Sequence, residues 1–380
     1  MKKDIIIIGA GIAGQALALA EAKKGNKVTV FDRTSQPVGA SVRNFGMVWP
    51  IGQPEGVFYE VALRSRQIWK ELIAATGIYS DQIGSLHLGY RDDEWDVLQE
   101  FYQAYQDGPY ELELVEAGKI DKYSNAVKKE NLKGGVFSKT EVIVDPREAL
   151  RTFPSYLSEQ LGVTFHWNTL VKEVGDSKVT TSDGRIFVAD QIYVCSGPDL
   201  ETLYPEIYTS WGVTKCKLQM MRTVAQPNNW RLGPALAAGL TLTHYKAFDK
   251  CPSLGKLKSR IEEEMPLYPK YGIHVMASQT GLGELTLGDS HEYGLTHDPF
   301  DRMEINQLVL DYLKTFLDAP TFALQESWHG IYPKSTTGKT VLIAQPEENI
   351  ILMNALGGAG MTLSFGVADR IANGNWDDLI

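Results

Sequence analysis

The sequence predicts an α/β protein with a second, strand-rich domain, and three observations carry that expectation. The chain opens on Asp4 followed by Ile5, Ile6, Ile7 and Ile8, a run that reads as a strand buried on both faces. That run turns through Gly9-x-Gly11-x-x-Gly14 into Gln15–Ala22, a stretch of strong helix formers. After Gly25 a second strand, Lys27–Phe31, ends at Asp32. Strand, glycine turn, helix, strand and terminal acid, in that order, make a Rossmann-type dinucleotide-binding unit.

Each part of the unit has a physical task. Gly9 permits the sharp bend, Gly11 lets the backbone approach a pyrophosphate, and Gly14 lets the helix pack against the sheet. Ile12 and Ala13 fill the turn between them, so that the first helix amides face the phosphates. Asp32 stands where a carboxylate meets an adenosine ribose hydroxyl, which argues against a cofactor carrying a 2′-phosphate, and Arg33 follows it.

With 380 residues, 43% hydrophobic and 22% charged, the chain fits a soluble protein of two domains. A formal net charge of −10 disfavours nonspecific binding to nucleic acid or to an anionic membrane. Cys195, Cys216 and Cys251 have no metal-ligand spacing and leave one thiol unpaired, so reduced cysteines in the cytoplasm are expected. Gly9 cuts the apolar run after Lys2 and Lys3 too short for a signal core or a membrane span.

Beyond Asp32 a polar, glycine-punctuated connection, Arg33–Gly46, should lie over the cofactor, with Arg43 offering a charged donor to phosphate and Ser41 and Asn44 neutral hydrogen bonds. Phe58–Thr76 has a helical pattern closed by Gly77. Ser85–Tyr90 reads as a short strand in which His87 is structural, and an acidic helix follows from Asp92 to about Gln106. Residues 107–140 are polar and read as an excursion into a second domain. The chain returns through Val142–Arg147, a helix to about Gln160, strands at Val163–His166 and Thr169–Val174, a hairpin turning at Asp183-Gly184, and a strand Gln191–Cys195 ending at Ser196-Gly197. Alternating apolar positions at Ile273, Val275, Leu285 and Leu287 make 216–325 the strand-rich domain. No pairing of its histidines has metal-site spacing, so no metal is expected. The end of the chain carries strands at Val341–Ile343 and Ile350–Met353. A second glycine-rich helix start, Leu356–Thr362, then has amides suited to stabilising negative charge.

Gly9-x-Gly11-x-x-Gly14, Asp32 and the Gly39-Ala40-Ser41-x-Arg43-Asn44-x-Gly46 segment together resemble the flavoenzymes of the D-amino-acid oxidase type, which include glycine oxidase and sarcosine oxidase. The resemblance implies FAD as cofactor. It implies a Rossmann-type FAD-binding domain over 1–84, 141–215 and 326–380, and a strand-rich substrate-binding domain over 85–140 and 216–325. By the same resemblance Val171 contacts the adenine through its backbone and Ser196-Gly197 passes under the dinucleotide. Gly330 and the run Gly357, Gly358, Ala359, Gly360, Met361 and Thr362 lie against the flavin. Longer strings, among them Cys216–Thr223 and Gly283–Gly294, are most similar to a bacterial clade associated with aminophosphonate breakdown.

Where sarcosine-oxidase-like members tether flavin through cysteine this chain has Gly330, so noncovalent FAD is expected. Thr362 replaces a carboxylate-binding lysine, Tyr332 an arginine, and Thr286 a lysine that activates oxygen. The resemblance therefore implies oxidation of a small amine with an anionic headgroup by hydride transfer to flavin N5, most specifically of a 2-aminoethylphosphonate derivative. His291, His329 and Tyr332 are the candidates for catalysis. Arg222, Ser290, His274 and Thr362 are the candidates for substrate binding, and Lys217 and Lys246 are further cations for the anion. Oxygen is one acceptor left open, as are a monomer and a homodimer. A glycine, sarcosine or D-amino-acid oxidase is the alternative activity, and a non-catalytic FAD-binding redox sensor is a second alternative.

Overall fold

The structure is a computed structural model and describes residues 2–380. Its first sheet is built on β1 (Asp4–Ile8), which pairs in parallel with β2 (Lys27–Phe31) on one side and with the strand Gln191–Val194 on the other. Thr164–His166 extends this six-stranded sheet beyond β2. Ile350–Asn354 continues it beyond Gln191–Val194, and Leu342–Glu347 closes that edge antiparallel. Ile5 to Ile8 are all buried, as a run without alternation requires when both faces of a sheet are covered.

The helix α1 (Ile12–Lys23) packs on this sheet together with the helices Gly360–Ala372 and Pro146–Leu161. Local chemistry sets several helix boundaries. Asp145 accepts from the Arg147 amide at the start of Pro146–Leu161, and Gly162 ends that helix in the left-handed region at φ 70°. The helix Val57–Thr76 ends on Gly77 in the same way, as its sequence predicted.

A nine-stranded mixed sheet forms the second half. Its spine is the pair Val213–Thr223 and Leu324–Ser335, antiparallel along nearly their whole length. The expected boundaries at 215/216 and 325/326 fall inside these two strands. Residues 107–140, read from their polarity as an excursion, contribute the strands Leu112–Glu116 and Gly134–Ser138 to this sheet. Between 216 and 325 the structure adds two long helices, Leu254–Glu264 and Met303–Phe316, and two of a single turn, Gly239–Leu242 and Leu267–Lys270, which the strand reading passed over. The signal for Met303–Phe316 was present: Ile305, Val309, Tyr312, Leu313 and Phe316 are buried at helical spacing. Two apolar clusters cover the faces of the first sheet, one holding Ile5 and Ile7 and the other Ile6 and Ile8, and one large cluster lies around the second sheet. A small cluster of Cys216, Leu218, Met220 and Tyr332 joins the second sheet to Ala40 and Phe45. No helix among the described residues is long and apolar enough to cross a membrane.

Candidate active site

Two joined cavities, about 330 and about 200 Å³, open beyond the C-terminal ends of β1, β2 and Gln191–Val194, where open α/β sheets take their ligands. Gly11, Ala40, Ser41, Cys195 and Gly197 line both, so the N-terminus of α1 stands at the waist of one continuous groove.

The smaller lobe is lined by Asp32, Arg33, Val171, Ser196 and Gly197. Asp32 Oδ2 accepts from the Ala10 amide at 2.8 Å, and Oδ1 accepts from the amide and hydroxyl of Thr34 at 2.8 and 2.7 Å. A carboxylate oxygen accepts two bonds, so Oδ2 keeps capacity for a ribose hydroxyl. Arg33 pairs with Asp199 at 2.8 Å on the rim. Ser196 Oγ bonds Asp199 O at 2.9 Å and the Tyr208 hydroxyl at 2.8 Å, so it braces the turn that floors the lobe.

The glycines test whether a dinucleotide fits. A Cβ on Gly9 would stand 2.2 Å from Cys195 O, and one on Gly14 would stand 1.8 Å from Gly9 O, so both are required by the packing of strand, turn and helix. A Cβ on Gly11 meets only Ser41 Oγ, at 3.1 Å, and otherwise enters the groove. Bareness at Gly11 serves a ligand rather than the fold, and a pyrophosphate at the helix amides accounts for it.

Ser41 Oγ accepts from the Ile12 amide at 3.0 Å, capping a donor that the first turn of α1 cannot satisfy. Asn44 donates to Ala40 O and Ser41 O and accepts from the Gly46 amide, so its side chain braces the loop over the groove. Arg43 lines the larger lobe and donates to His329 O at 3.1 Å. Gly357, Gly358, Ala359, Gly360, Met361 and Thr362 form the opposite wall, with the start of the helix Gly360–Ala372 directed at the lobe. Thr362 Oγ1 accepts from the Trp49 amide at 2.9 Å, and Trp49 lines the same lobe with its indole N–H unpartnered. These residues fit FAD. Gly330 lines the larger lobe as well.

The far wall holds His244, His274, His291, Asp289 and Tyr332. His274 Nε2 lies 2.9 Å from Asp289 Oδ1, within ion-pair distance although off the line of a good hydrogen bond. His291 Nδ1 lies 2.8 Å from Gly272 O. Burial lowers the His291 pKa to about 4 against the opposing pull of Asp289. Burial together with the other two histidines holds His244 well below its ordinary value. Burial pushes Asp289 upward, but His274 and His291 outweigh it and leave the carboxyl below its usual range. Burial and the neighbouring Cys216 raise Tyr332 far above an ordinary phenol, so it stays a neutral donor.

Three of the candidates for catalysis and substrate binding lie outside the groove lining. Arg222 is 2% exposed, 3.3 Å from Glu326 and 3.7 Å from Glu284, with its guanidinium 5.0 Å from the Trp328 ring centre. Its charge is met by Glu326 and Glu284, and it lies outside the groove lining. Ser290 Oγ accepts from the Gln219 amide at 3.1 Å inside the sheet. His329 turns its ring to Asp301 at 2.9 Å, on the face opposite its neighbour Gly330, because successive strand residues point to opposite faces. Lys217 is held likewise by Asp298 O, Phe300 O and Asp301. The structure supplies cations that the sequence reading missed: Lys334 and Lys339 line the larger lobe beside Lys246. Their only local signal is the Ser/Thr/Gly turn that carries them. It also shows Glu141, buried and accepting from the Ile51 amide and the Ser85 and Thr140 hydroxyls, which pins the turn bearing Trp49.

A model of the family described as "DAO: FAD dependent oxidoreductase" matches residues 4–373. The chain is 24% identical to a D-amino acid dehydrogenase of Paramagnetospirillum magneticum, over 97% of this chain and 94% of that protein. A local match of 54 residues at 43% identity covers 14% of this chain and 8% of a bifunctional tRNA 5-methylaminomethyl-2-thiouridine biosynthesis protein of Shewanella amazonensis. Among solved structures, glycine oxidase from Geobacillus kaustophilus superposes with a TM-score of 0.78 at 19% identity, covering 98% of this chain and 94% of that one.

Proposed function

The chain belongs to the DAO family of FAD-dependent oxidoreductases, and from that premise we propose that it oxidises a small amine carrying an anionic headgroup, a 2-aminoethylphosphonate derivative such as the N-methyl or 1-hydroxy form. Bound FAD supplies the two-electron acceptor for the amine C–H bond. The observation that carries the headgroup reading is the charge of the larger lobe: Arg43, Lys246, Lys334 and Lys339 line it, against one carboxylate among the described residues, that of Asp289. In a chain of net charge −10, that local excess draws an anion into the groove.

The headgroup chemistry narrows the class. A carboxylate is planar and is met best by one arginine fork, whereas a phosphonate presents three oxygens and rewards several convergent point charges. Tyr332 and Thr362 stand where the resembled enzymes carry carboxylate anchors, and lysines supply the cations here. Tyr332, kept protonated, can donate one further hydrogen bond, and the Trp49 amide donates to Thr362 Oγ1, which fixes Trp49 in the wall of the lobe.

Anaerobic reduction of the bound flavin by an amine panel tests the reading. N-methyl-2-aminoethylphosphonate should bleach the flavin at least tenfold faster than sarcosine or glycine at equal concentration, about 1.4 kcal/mol in transition-state binding. Equal rates would remove the phosphonate from the proposal and favour an amino-acid oxidase.

A further inference from the structure

The far wall of the larger lobe contains a donor set that binding an amine does not require. His244, His274 and His291 each present one ring nitrogen, and the three atoms lie within 4.8 Å of one another. They arrive from three segments: the turn after Gly239–Leu242, the approach to Met276–Gln279, and the stretch following Leu285–Gly288. Their surroundings decide which nitrogen is bare. Gly272 O can only accept, so His291 Nδ1 carries the proton and Nε2 keeps its lone pair. Asp289 Oδ1 stands 2.9 Å from His274 Nε2, and His274 Nδ1 is buried with no hydrogen-bond partner among the described residues. A carboxylate behind one imidazole and a carbonyl behind another are the supports that orient metal-binding histidines.

We propose that His244, His274 and His291 form a three-histidine site for a divalent transition-metal ion of the zinc class, with Asp289 and Gly272 O as its supporting partners. Imidazole suits zinc and its neighbours in the series, and three protein ligands leave a coordination position open. All three rings line the groove, so that position faces the cavity rather than the protein interior. Metal–nitrogen bonds of about 2.0–2.1 Å set the nitrogens roughly 3.4 Å apart, so the rings draw in by about an ångström on binding. His244 sits in a turn stacked 3.8 Å from His274, and its side chain has the shortest way to move. An anionic oxygen of substrate would complete the shell, an extension that rests on the substrate reading above; the metal site does not.

The test uses the untagged, FAD-loaded protein, stripped with EDTA and titrated with Zn(II) by calorimetry and with Co(II) by its ligand-field absorption beyond the flavin bands. About one equivalent should bind, and the Co(II) spectrum should be that of a low-coordinate nitrogen site. His244→Ala and His274→Ala should abolish stoichiometric uptake, and Asp289→Asn should weaken it by about 10–100-fold, the usual cost of losing a supporting partner. Flavin content and thermal midpoint control for folding, and His244→Ala removes a turn residue should the His274 variant fail to fold. Absence of stoichiometric zinc uptake by the stripped wild-type chain, or wild-type affinity in His244→Ala, overturns the proposal. Zinc uptake in a protein whose flavin no amine reduces would leave the metal site standing and reject the amine reading alone.

Discussion

Gly9 and Gly11 stand in one turn and fail differently when a methyl is added. At Gly9, with φ 100° and Cys195 O at 2.2 Å from the new Cβ, alanine must move the strand ends apart; the backbone conformation alone costs about 1–3 kcal/mol. Urea unfolding of the apoprotein should register that loss. Gly11 has an ordinary φ of −70° and an open groove before it, so Gly11→Val should keep a folded chain and lose its FAD. A Gly11→Val protein that purifies with full flavin content would contradict the placement of the pyrophosphate. Arg222→Ala belongs with the stability changes, because it breaks a buried ion pair. The expected cost is about 3 kcal/mol, the low end for such a pair, since Glu284 keeps Arg147 at 3.3 Å and Glu326 is half exposed. Its thermal midpoint should fall while flavin reduction by substrate in the folded fraction is unchanged. Lys334→Met should do the reverse, weakening an anionic substrate about tenfold at constant stability, the behaviour of a charge that lines the groove.

At the scale of the element, parity along a strand explains which candidates reached the groove. On Leu324–Ser335, Gly330 and Tyr332 face it and His329 does not; on Val213–Thr223, Leu218 and Met220 face it and Lys217 and Gln219 do not. Strand Ser85–Gly89 shows what burial of both faces does to a titrating side chain. His87 is fully buried between Trp49 and Phe248, neither ring nitrogen has a partner, and desolvation lowers its pKa from 6.5 to about 3. The folded state thus prefers the neutral ring. Its contribution to stability is complete above pH 6.5 and is lost as the pH falls toward 3, because the unfolded chain takes up the proton first. At pH 5 that loss is about 2 kcal/mol. His87→Leu removes the titration, so between pH 7 and pH 5 the variant should lose about 2 kcal/mol less than the wild type in urea unfolding. Parallel pH profiles would show that His87 is not the buried neutral base described.

Over the whole molecule, the groove runs from the six-stranded sheet to the wall of the nine-stranded one, so FAD bound in it should stabilise both. At a free concentration one hundred times Kd the gain is about 2.7 kcal/mol, which a thermal scan with and without added FAD would read. Because glycine occupies position 330, acid should release all of the flavin and leave a colourless pellet. The segments that line the smaller lobe and the helix-start wall are legible in the sequence alone. The isoleucine strand, the Gly9–Gly14 turn, Asp32 and the Gly357–Thr362 helix start are contiguous segments, and each carries its sequence signal locally. The substrate half was decided by tertiary structure. Whether Arg222 meets substrate or Glu326 depends on how Val213–Thr223 registers against Leu324–Ser335, and no local pattern encodes that pairing. The same holds for His244, His274 and His291, which lie far apart along the chain and in three different segments. They come together only when antiparallel strands fold those segments onto one wall, so residue spacing, which measures distance along the chain, carries no trace of their contact.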